Sequence, residues 1–181
     1  MQTAIKRRLE DEADFDVFLS FRSTDDGGRP TKERVVARRI YDELTRRGIK
    51  TFMSEVTLKG RLGEDYEPII YKALYSCKFF ILIACSAQNI NSPWVKNEWS
   101  RFCDRISEER LTAACCAVFE GLQPSELPSF FRGQGVDLSK YPAGGYEIEI
   151  ADNLQTRFFS RKMQNGGTYA ANNAAGAAKN Y

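Results

Sequence analysis

The chain has 181 residues, of which 43% are hydrophobic and 28% are charged, a balance typical of one globular domain and not of a disordered or fibrous chain. Its formal net charge of +2 is too small to favour a nucleic-acid or membrane partner by bulk attraction. The sequence contains no histidine, which excludes Ser-His-Asp catalysis, Cys-His catalysis and metal sites built on imidazole.

The two ends of the chain are predicted to be tails. Residues 1–14 mix basic and acidic groups without a strand pattern, and residues 161–181 consist mainly of Gly, Ala and Asn. The charged N-terminus does not resemble a signal peptide, and the longest apolar run, residues 79–85, is much shorter than a bilayer span. We therefore expect a cytoplasmic protein with one folded domain over residues 15–160.

Apolar runs alternate with amphipathic runs between the tails, which predicts alternating strands and helices. In chain order, the pattern predicts strand 15–21, helix 31–47, strand 49–54, helix 66–76, strand 78–85, helix 92–109, strand 111–119, a short strand 136–138 and helix 146–158. The third strand is the clearest, because its continuous apolarity is typical of a parallel strand covered on both faces. This order predicts an α/β fold, namely a flavodoxin-like five-stranded parallel sheet with helices on both faces.

Short local signals mark where the helices begin and end. Thr31 is the predicted N-cap of the first helix, and Gly48 follows its last turn. Ser92 is the predicted N-cap of the third helix, with Pro93 in its first position. The charged segment 55–65 between the second strand and the second helix is predicted to be a loop.

A ligand site is expected at the carboxyl ends of the first and third strands, where a sheet of order 2-1-3-4-5 reverses its direction of growth. The loops that follow these strands are residues 22–30 and residues 86–91. The loop 55–65, after the second strand, either leans over the same crevice or forms a contact surface.

Several familiar sites are absent from this sequence. It contains neither a G-x-x-x-x-G-K-[ST] phosphate loop nor a G-x-G-x-x-G pattern. The third strand ends at Cys85, where a phospho-accepting receiver domain has an aspartate, and Asn91 stands where a cysteine phosphatase loop has an arginine. We therefore interpret Cys85 as an inert thiol. All five cysteines are expected to be buried and unpaired, with Cys115 and Cys116 on opposite faces of a strand.

Trp94 and Glu98 are the remaining candidates for chemistry. Their i,i+4 spacing places both on one helical face near the helix N-terminus, beside the expected crevice. A carboxylate beside an aromatic wall suits cleavage of an N-glycosidic bond, because an anion that holds the ribose hydroxyls stabilises an oxocarbenium-like transition state without a histidine. The alternative is a surface glutamate on a helix whose Trp94 and Trp99 pack in the core or against a partner.

The segment Phe15-Asp-Val-Phe-Leu-Ser-Phe-Arg22 begins a pattern that resembles the Toll/interleukin-1 receptor (TIR) domain family. A helix, a strand, a charged loop and the Ser92-Pro-Trp-Val-Lys-Asn-Glu98 helix follow in the family's order, over about residues 14–159. In the branch that cleaves NAD+, the resemblance implies a catalytic glutamate in a W-x-x-x-E motif, the position that Glu98 occupies. It implies NAD+ as the substrate, with no further cofactor and no metal.

The resemblance also implies where the nucleotide binds. Arg22 matches a position at the nucleotide site of NAD-cleaving relatives, and its alternative is a surface arginine paired with Asp25 or Asp26. Ser23, Ser86 and Trp94 are further candidate substrate contacts.

The loop 55–65 departs from the family pattern, since it keeps glycines and charges but has no proline-glycine pair. Its charges predict head-to-tail self-association, with Lys59 and Arg61 opposite Glu64 and Asp65. The alternative is a solvated loop without a partner. We expect low activity in the monomer and activation by self-association.

The resemblance implies an NAD+ nucleosidase that releases nicotinamide and gives ADP-ribose or a cyclic or conjugated product. The expected setting is antiphage defence, in which a separate effector reads the product. The alternatives are a scaffold that recruits other TIR domains without turnover, and a virulence factor that depletes NAD+. Neither tail is long enough to fold as a sensor, so activation is expected from a partner, from self-assembly or from a domain outside this chain.

Overall fold

Strands and helices alternate through residues 14–158, the part of the chain that the computed structural model describes apart from residues 62, 64, 110–112 and 134. The predicted tails lie outside this range, except for Asp14. The strands are β1 Val17–Ser20, β2 Thr51–Phe52, β3 Phe79–Ala84, β4 Ala114–Phe119 and β5 Gly135–Asp137. The helices are α1 Lys32–Arg46, α2 Ser54–Thr57, α3 Glu67–Ser76, α4 Ala87–Ile90, α5 Pro93–Glu109 and α6, residues 146–158. Within this part of the chain, no helix has the length and apolarity needed to cross a membrane.

The five strands form one parallel sheet of order β2-β1-β3-β4-β5. This order confirms the predicted flavodoxin-like topology. Every residue of the central strand β3 is buried, as its continuous apolarity predicted. In register, Leu19 of β1 lies beside Ile81, which in turn lies beside Cys116 of β4.

Helix α1 shows both of its predicted end signals. The Thr31 side chain accepts a hydrogen bond from the backbone N–H of Arg34 at 3.3 Å, which caps the N-terminus. After the last turn the chain passes through Gly48, whose φ of +74° lies in the region that glycine adopts most readily. The apolar face between these ends is buried and consists of Val36, Ala37, Ile40 and Leu44.

Two apolar layers cover the sheet, one on each face. Helices α1 and α6 pack on one face, and α3 and α5 pack on the other. On the second face the aromatic rings of Phe52, Phe18, Phe80 and Phe102 stack in sequence from β2 to α5, with centroids 4.8, 5.5 and 4.8 Å apart. This row of rings fixes α5, and the acidic side chain that it carries, against the middle of the sheet.

Two of the predicted loops, residues 55–65 and residues 86–91, contain a short helix. In segment 55–65 the chain first forms α2, and after β3 it forms α4. The second of these helices has a local cause, because the Ser86 side chain accepts a hydrogen bond from the backbone N–H of Asn89 and caps its N-terminus. The prediction of irregular loops was therefore wrong in these two places.

The strands are shorter than predicted. β1 has four residues and β2 has two, because the apolar residues around them pack in the core without joining the ladder. β4 begins at Ala114, because Ala113 before it is not part of the strand; residues 110–112 lie outside the described part. β5 starts one residue earlier than predicted and ends at Asp137, where a 3-10 turn, Leu138–Lys140, begins.

All five cysteines are free thiols. Cys77 and Cys103 are buried as predicted, whereas Cys85, Cys115 and Cys116 are only partly buried. The adjacent pair Cys115 and Cys116 packs against opposite apolar layers, which confirms the predicted alternation along β4.

Candidate functional site

The loops that follow β1 and β3 contact each other at the carboxyl edge of the sheet, as the strand order predicts. Arg22, two residues after β1, donates through Nη1 to Oδ1 of Asn89 in α4 at 3.4 Å. Gln88, also in α4, donates through Nε2 to Oδ2 of Asp26 at 3.0 Å. These two contacts join segments more than sixty residues apart at the point where the sheet reverses its growth.

Glu98 lies in the second turn of α5 and contacts the end of β1, two residues before Arg22. Its Oε2 accepts a hydrogen bond of 2.6 Å from the hydroxyl of Ser20, the last residue of β1. Ser20 is fully buried and Glu98 is only 7% exposed. The alternative interpretation of Glu98 as a surface glutamate is therefore wrong.

Burial changes the acidity of this carboxyl group. Removal from water raises the pKa of Glu98 to about 8, while the Ser20 hydrogen bond and the nearby Trp94 side chain oppose the shift. At neutral pH the group is therefore mostly protonated, and a positive charge that comes close favours its ionised form.

The two tryptophans of α5 have different environments. Trp94, one turn before Glu98, is 49% exposed and forms part of the surface at the start of the helix. Trp99 is partly buried, packs against the apolar layer beneath α5, and donates its indole N–H to the carbonyl of Ile90 at 3.3 Å. Trp94 is thus available to a ligand or a partner, whereas Trp99 is a structural residue.

The Arg22 guanidinium lies largely within the protein, with 18% of its side chain exposed. Its Nε donates to the carbonyl of Thr24 at 2.8 Å, its Nη1 faces Asn89, and its Nη2 forms an ion pair with Asp26. The predicted alternative pairing therefore involves Asp26, while Asp25 pairs with Arg29.

Glu33 and Asn89 belong to the same site, although neither stood out in the sequence. Glu33 is 1% exposed, and its Oε1 accepts hydrogen bonds from the backbone N–H of Cys85 at 2.9 Å and from Nδ2 of Asn89 at 2.7 Å. Asn89 therefore connects Glu33 to Arg22. An acid in the first turn of a helix commonly stabilises that helix, so its position does not mark Glu33 as a site residue. For Asn89, the available signal was its position in the loop after β3.

The two serine candidates have mainly structural contacts. Ser86 caps α4 with its side-chain oxygen. The backbone carbonyl of Ser23 accepts a hydrogen bond from the N–H of Thr31 at 3.0 Å, which closes the loop after β1. Both serines therefore belong to the loops at the carboxyl edge of the sheet, where these contacts stabilise the loop backbone.

The self-association candidates lie on a neighbouring surface. Lys59 and Asp65 are exposed, and Arg61 is partly buried; Glu64 lies outside the described residues. The preceding helix α2 is held to α1 by an ion pair of 2.8 Å between Glu55 and Arg34. The charged residues therefore follow a helix that is joined to α1 by an ion pair.

Cys85 lies at the same edge of the sheet as the candidate site. Burial, followed by the negative charge of Glu33, raises the pKa of the Cys85 thiol to about 12, so it is a poor nucleophile, as predicted. Among the residues whose positions are described, no group of three His, Cys, Asp or Glu side chains is arranged to hold a metal ion.

Comparison with solved structures shows the fold again. A metazoan TIR-STING receptor from C. gigas, in complex with 2',3'-cGAMP, superposes with a TM-score of 0.55 at 19% identity, covering 77% of this chain and 39% of that one. A second structure of this receptor gives a TM-score of 0.54 at 20% identity, with coverages of 77% and 40%. The TIR domains of the activated Roq1 resistosome give 0.49 at 21% identity, with coverages of 86% and 77%. At these identities the likeness concerns the fold alone, and this chain spans less than half of the TIR-STING receptor chain.

Comparison of sequences assigns the family. No curated protein matches this chain significantly. Residues 17–153, however, match the family model described as the TIR domain, and this range contains every strand of the sheet and the whole candidate site. The chain therefore belongs to the TIR-domain family.

Proposed function

We propose that this chain is an NAD+ nucleosidase that cleaves the bond between nicotinamide and ribose. The observation that carries the proposal is the position of Glu98, a buried carboxyl group that is hydrogen-bonded to the end of β1, two residues before Arg22. Membership of the TIR family supports it, because the family includes enzymes with a glutamate in this motif.

The proposed reaction needs no histidine. The electrons of the glycosidic bond go to the positively charged ring nitrogen of NAD+, so nicotinamide leaves as a neutral molecule without a general acid. Positive charge then develops on the ribose, and the Glu98 carboxylate stabilises it. Water adds to the anomeric carbon and loses a proton, giving ADP-ribose; addition of a hydroxyl or ring nitrogen gives a cyclic or conjugated product instead.

The buried position of Glu98 suits this chemistry. With a pKa of about 8, the group is a stronger base than an ordinary carboxylate and can take the proton that the attacking nucleophile releases. Approach of the cationic nicotinamide ring favours the ionised form, so the negative charge appears when the substrate is bound.

Two neighbouring side chains supply binding. Arg22 provides a cation for the diphosphate group of NAD+, since a guanidinium forms charge-assisted hydrogen bonds with phosphate oxygens. The exposed indole of Trp94 provides an aromatic face beside the carboxyl group, suited to stacking with a flat ring.

Nicotinamide release measured by chromatography tests the proposal. Concentrated wild-type protein incubated with NAD+ is expected to release nicotinamide, and Glu98→Gln to lose at least about a hundredfold of that rate. Glu149→Gln, the same change on the exposed side of α6, is the matched control and should retain activity. Nicotinamide release that persists in Glu98→Gln would assign the chemistry to another residue.

A second candidate function is a scaffold that associates with other TIR domains without turnover. The exposed side chains of Lys59 and Asp65, which carry opposite charges on one segment, favour it. Self-association through this segment, together with Arg61 and Glu64, is also our proposed activating step for the enzyme. Sedimentation of wild type and Lys59→Glu, combined with the nicotinamide assay on the same samples, separates the two, because a pure scaffold assembles without releasing nicotinamide.

The proposed biological role is antiphage defence. A signalling enzyme makes a cyclic or conjugated ADP-ribose that a separate effector reads, whereas an NAD+-depleting enzyme stops at linear ADP-ribose. Identification of the product by mass spectrometry decides between these roles, and linear ADP-ribose alone would favour depletion.

A further inference from the structure

Each of the three nitrogens of the Arg22 guanidinium contacts a group of its own chain. Two of its contacts, with the Thr24 carbonyl and with Oδ1 of Asn89, are to neutral oxygens that orient the side chain. The third is an ion pair between Nη2 and the Asp26 carboxylate. An anion that binds at Nη2 therefore competes with Asp26, the only charged partner among these three contacts.

We propose that Asp26 is a built-in competitor of the site's ligand: its carboxylate holds the place on Arg22 that a diphosphate group takes when it binds. The inference rests on the proposed function only for the identity of that ligand as NAD+. For any molecule with a diphosphate group, Asp26 raises the concentration needed to fill the site.

Asp26 bridges the two loops of the candidate site. One carboxylate oxygen pairs with Arg22 from the loop after β1, and the other accepts a hydrogen bond from Gln88 of α4, after β3. The side chain therefore spans the gap between the two loops. It is nevertheless 75% exposed, so water and ions reach it from outside.

The loop does not depend on Asp26 for its shape. Oδ1 of Asp25 accepts hydrogen bonds from the backbone N–H groups of Gly27 and Arg29, both at 2.9 Å, and its Oδ2 pairs with the Arg29 side chain. Gly28 supplies the positive φ of +77° that the turn requires. A rotation of the Asp26 side chain is therefore enough to release Nη2 of Arg22, while the turn stays formed.

Arg22 also stays in position when Asp26 leaves. Asn89, which holds Nη1, is itself held by the buried carboxylate of Glu33 at 2.7 Å. When Asp26 leaves, the guanidinium therefore keeps its orientation, and Nη2 becomes available to a ligand. A diphosphate carries more negative charge than one carboxylate and offers several acceptor oxygens, so it displaces Asp26 once its concentration is high enough.

The test measures binding of inorganic pyrophosphate by titration calorimetry at low ionic strength, where surface charge is least screened. Asp26→Asn keeps the shape of the side chain and removes its charge, and we expect it to bind pyrophosphate at least about threefold more tightly than wild type, the scale of one exposed ion pair. Asp26→Glu, which restores the carboxylate, should return towards wild type. Gln88→Leu, which removes the second contact, should give a smaller gain in the same direction.

Two controls separate local competition from bulk charge. Asp42→Asn, an exposed acid of α1 paired with Arg38, makes the same change in net charge away from the site. Arg22→Gln combined with Asp26→Asn removes the proposed binding group. The proposal is overturned if Asp26→Asn binds no more tightly than wild type, if Asp42→Asn gives an equal gain, or if the gain survives in the double variant.

NAD+ turnover provides an independent measurement. If the proposed function is correct, Asp26→Asn lowers KM by the same factor and leaves kcat unchanged, since the competition affects only ligand binding. If NAD+ is not cleaved at all, the proposed function fails while the pyrophosphate result still decides the role of Asp26. If NAD+ is cleaved with an unchanged KM in Asp26→Asn, the competitor is refuted and the enzyme assignment stands.

Discussion

Substitution of Glu98 by Gln should stabilise the protein at high pH. In the unfolded chain this carboxyl group titrates near pH 4.5, whereas in the folded protein burial raises its pKa to about 8. Between these values the folded state binds more protons at Glu98 than the unfolded state does, so this group's contribution to stability falls as pH rises. Glutamine has nearly the same shape, can still accept the Ser20 hydrogen bond, and does not titrate.

The size of the effect follows from the difference between the two pKa values. Each pKa unit corresponds to about 1.4 kcal/mol, so wild type loses on the order of 3 to 5 kcal/mol between pH 4.5 and pH 8.5 through this one group. Glu98→Gln escapes that loss. We therefore expect the variant and wild type to have similar free energies of unfolding at pH 4.5, and the variant to be more stable by that order at pH 8.5.

Urea denaturation of the two proteins at both pH values measures this difference. Glu149→Gln, on the exposed side of α6, controls for the loss of one negative charge. If the same Glu98→Gln protein also fails to release nicotinamide, the two results together would show that the proposed activity is kept at a cost in stability. A stability difference that does not change with pH would refute the argument, because it would mean that Glu98 is solvated in the folded state.

Two further predictions concern residues away from the reacting bond. Asn89→Ala should raise KM for NAD+ by about three- to tenfold with little change in kcat, because Arg22 loses an orienting contact. Asn91→Ala, at the end of α4, is the control. An equal KM for Asn89→Ala and wild type would contradict the role of Asn89. Arg105→Ala should lower the free energy of unfolding by about 2 to 4 kcal/mol, because the buried Arg105 guanidinium donates to the carbonyls of Leu74 and Cys77 at the end of α3. Arg101→Ala, on the exposed side of α5, should cost about 1 kcal/mol or less in the same urea titration; an equal loss in the two variants would refute the role of Arg105.

The sheet and its edge were predictable because local patterns determine them. Continuous apolarity identified β3 as the central strand, Thr31 and Gly48 marked the ends of α1, and the strand order placed the loops of Arg22 and Asn89 together. These features depend on residues that are close in sequence, or on a topology with few alternatives.

The interior of the site was less predictable because it depends on distant pairs. The hydrogen bond between Ser20 and Glu98 joins residues 78 positions apart, and helical spacing alone does not say whether Glu98 faces water or the sheet. The burial of Glu33 has the same cause, since its partners Cys85 and Asn89 belong to another part of the chain. Sequence patterns specify the periodicity of an element, whereas the surroundings of a polar side chain are set by the elements packed on it.

The lengths of the outermost strands restrict how copies of this protein can join. The sheet ends in β2, with two residues, on one side and in β5, with three residues, on the other. Strands this short offer few backbone groups for an added strand, so the sheet of one copy cannot readily continue into the sheet of the next. Assembly must then use side chains on helices and loops. Salt or dilution weakens contacts of that kind, so an assembly of this domain can dissociate, unlike an aggregate joined strand to strand.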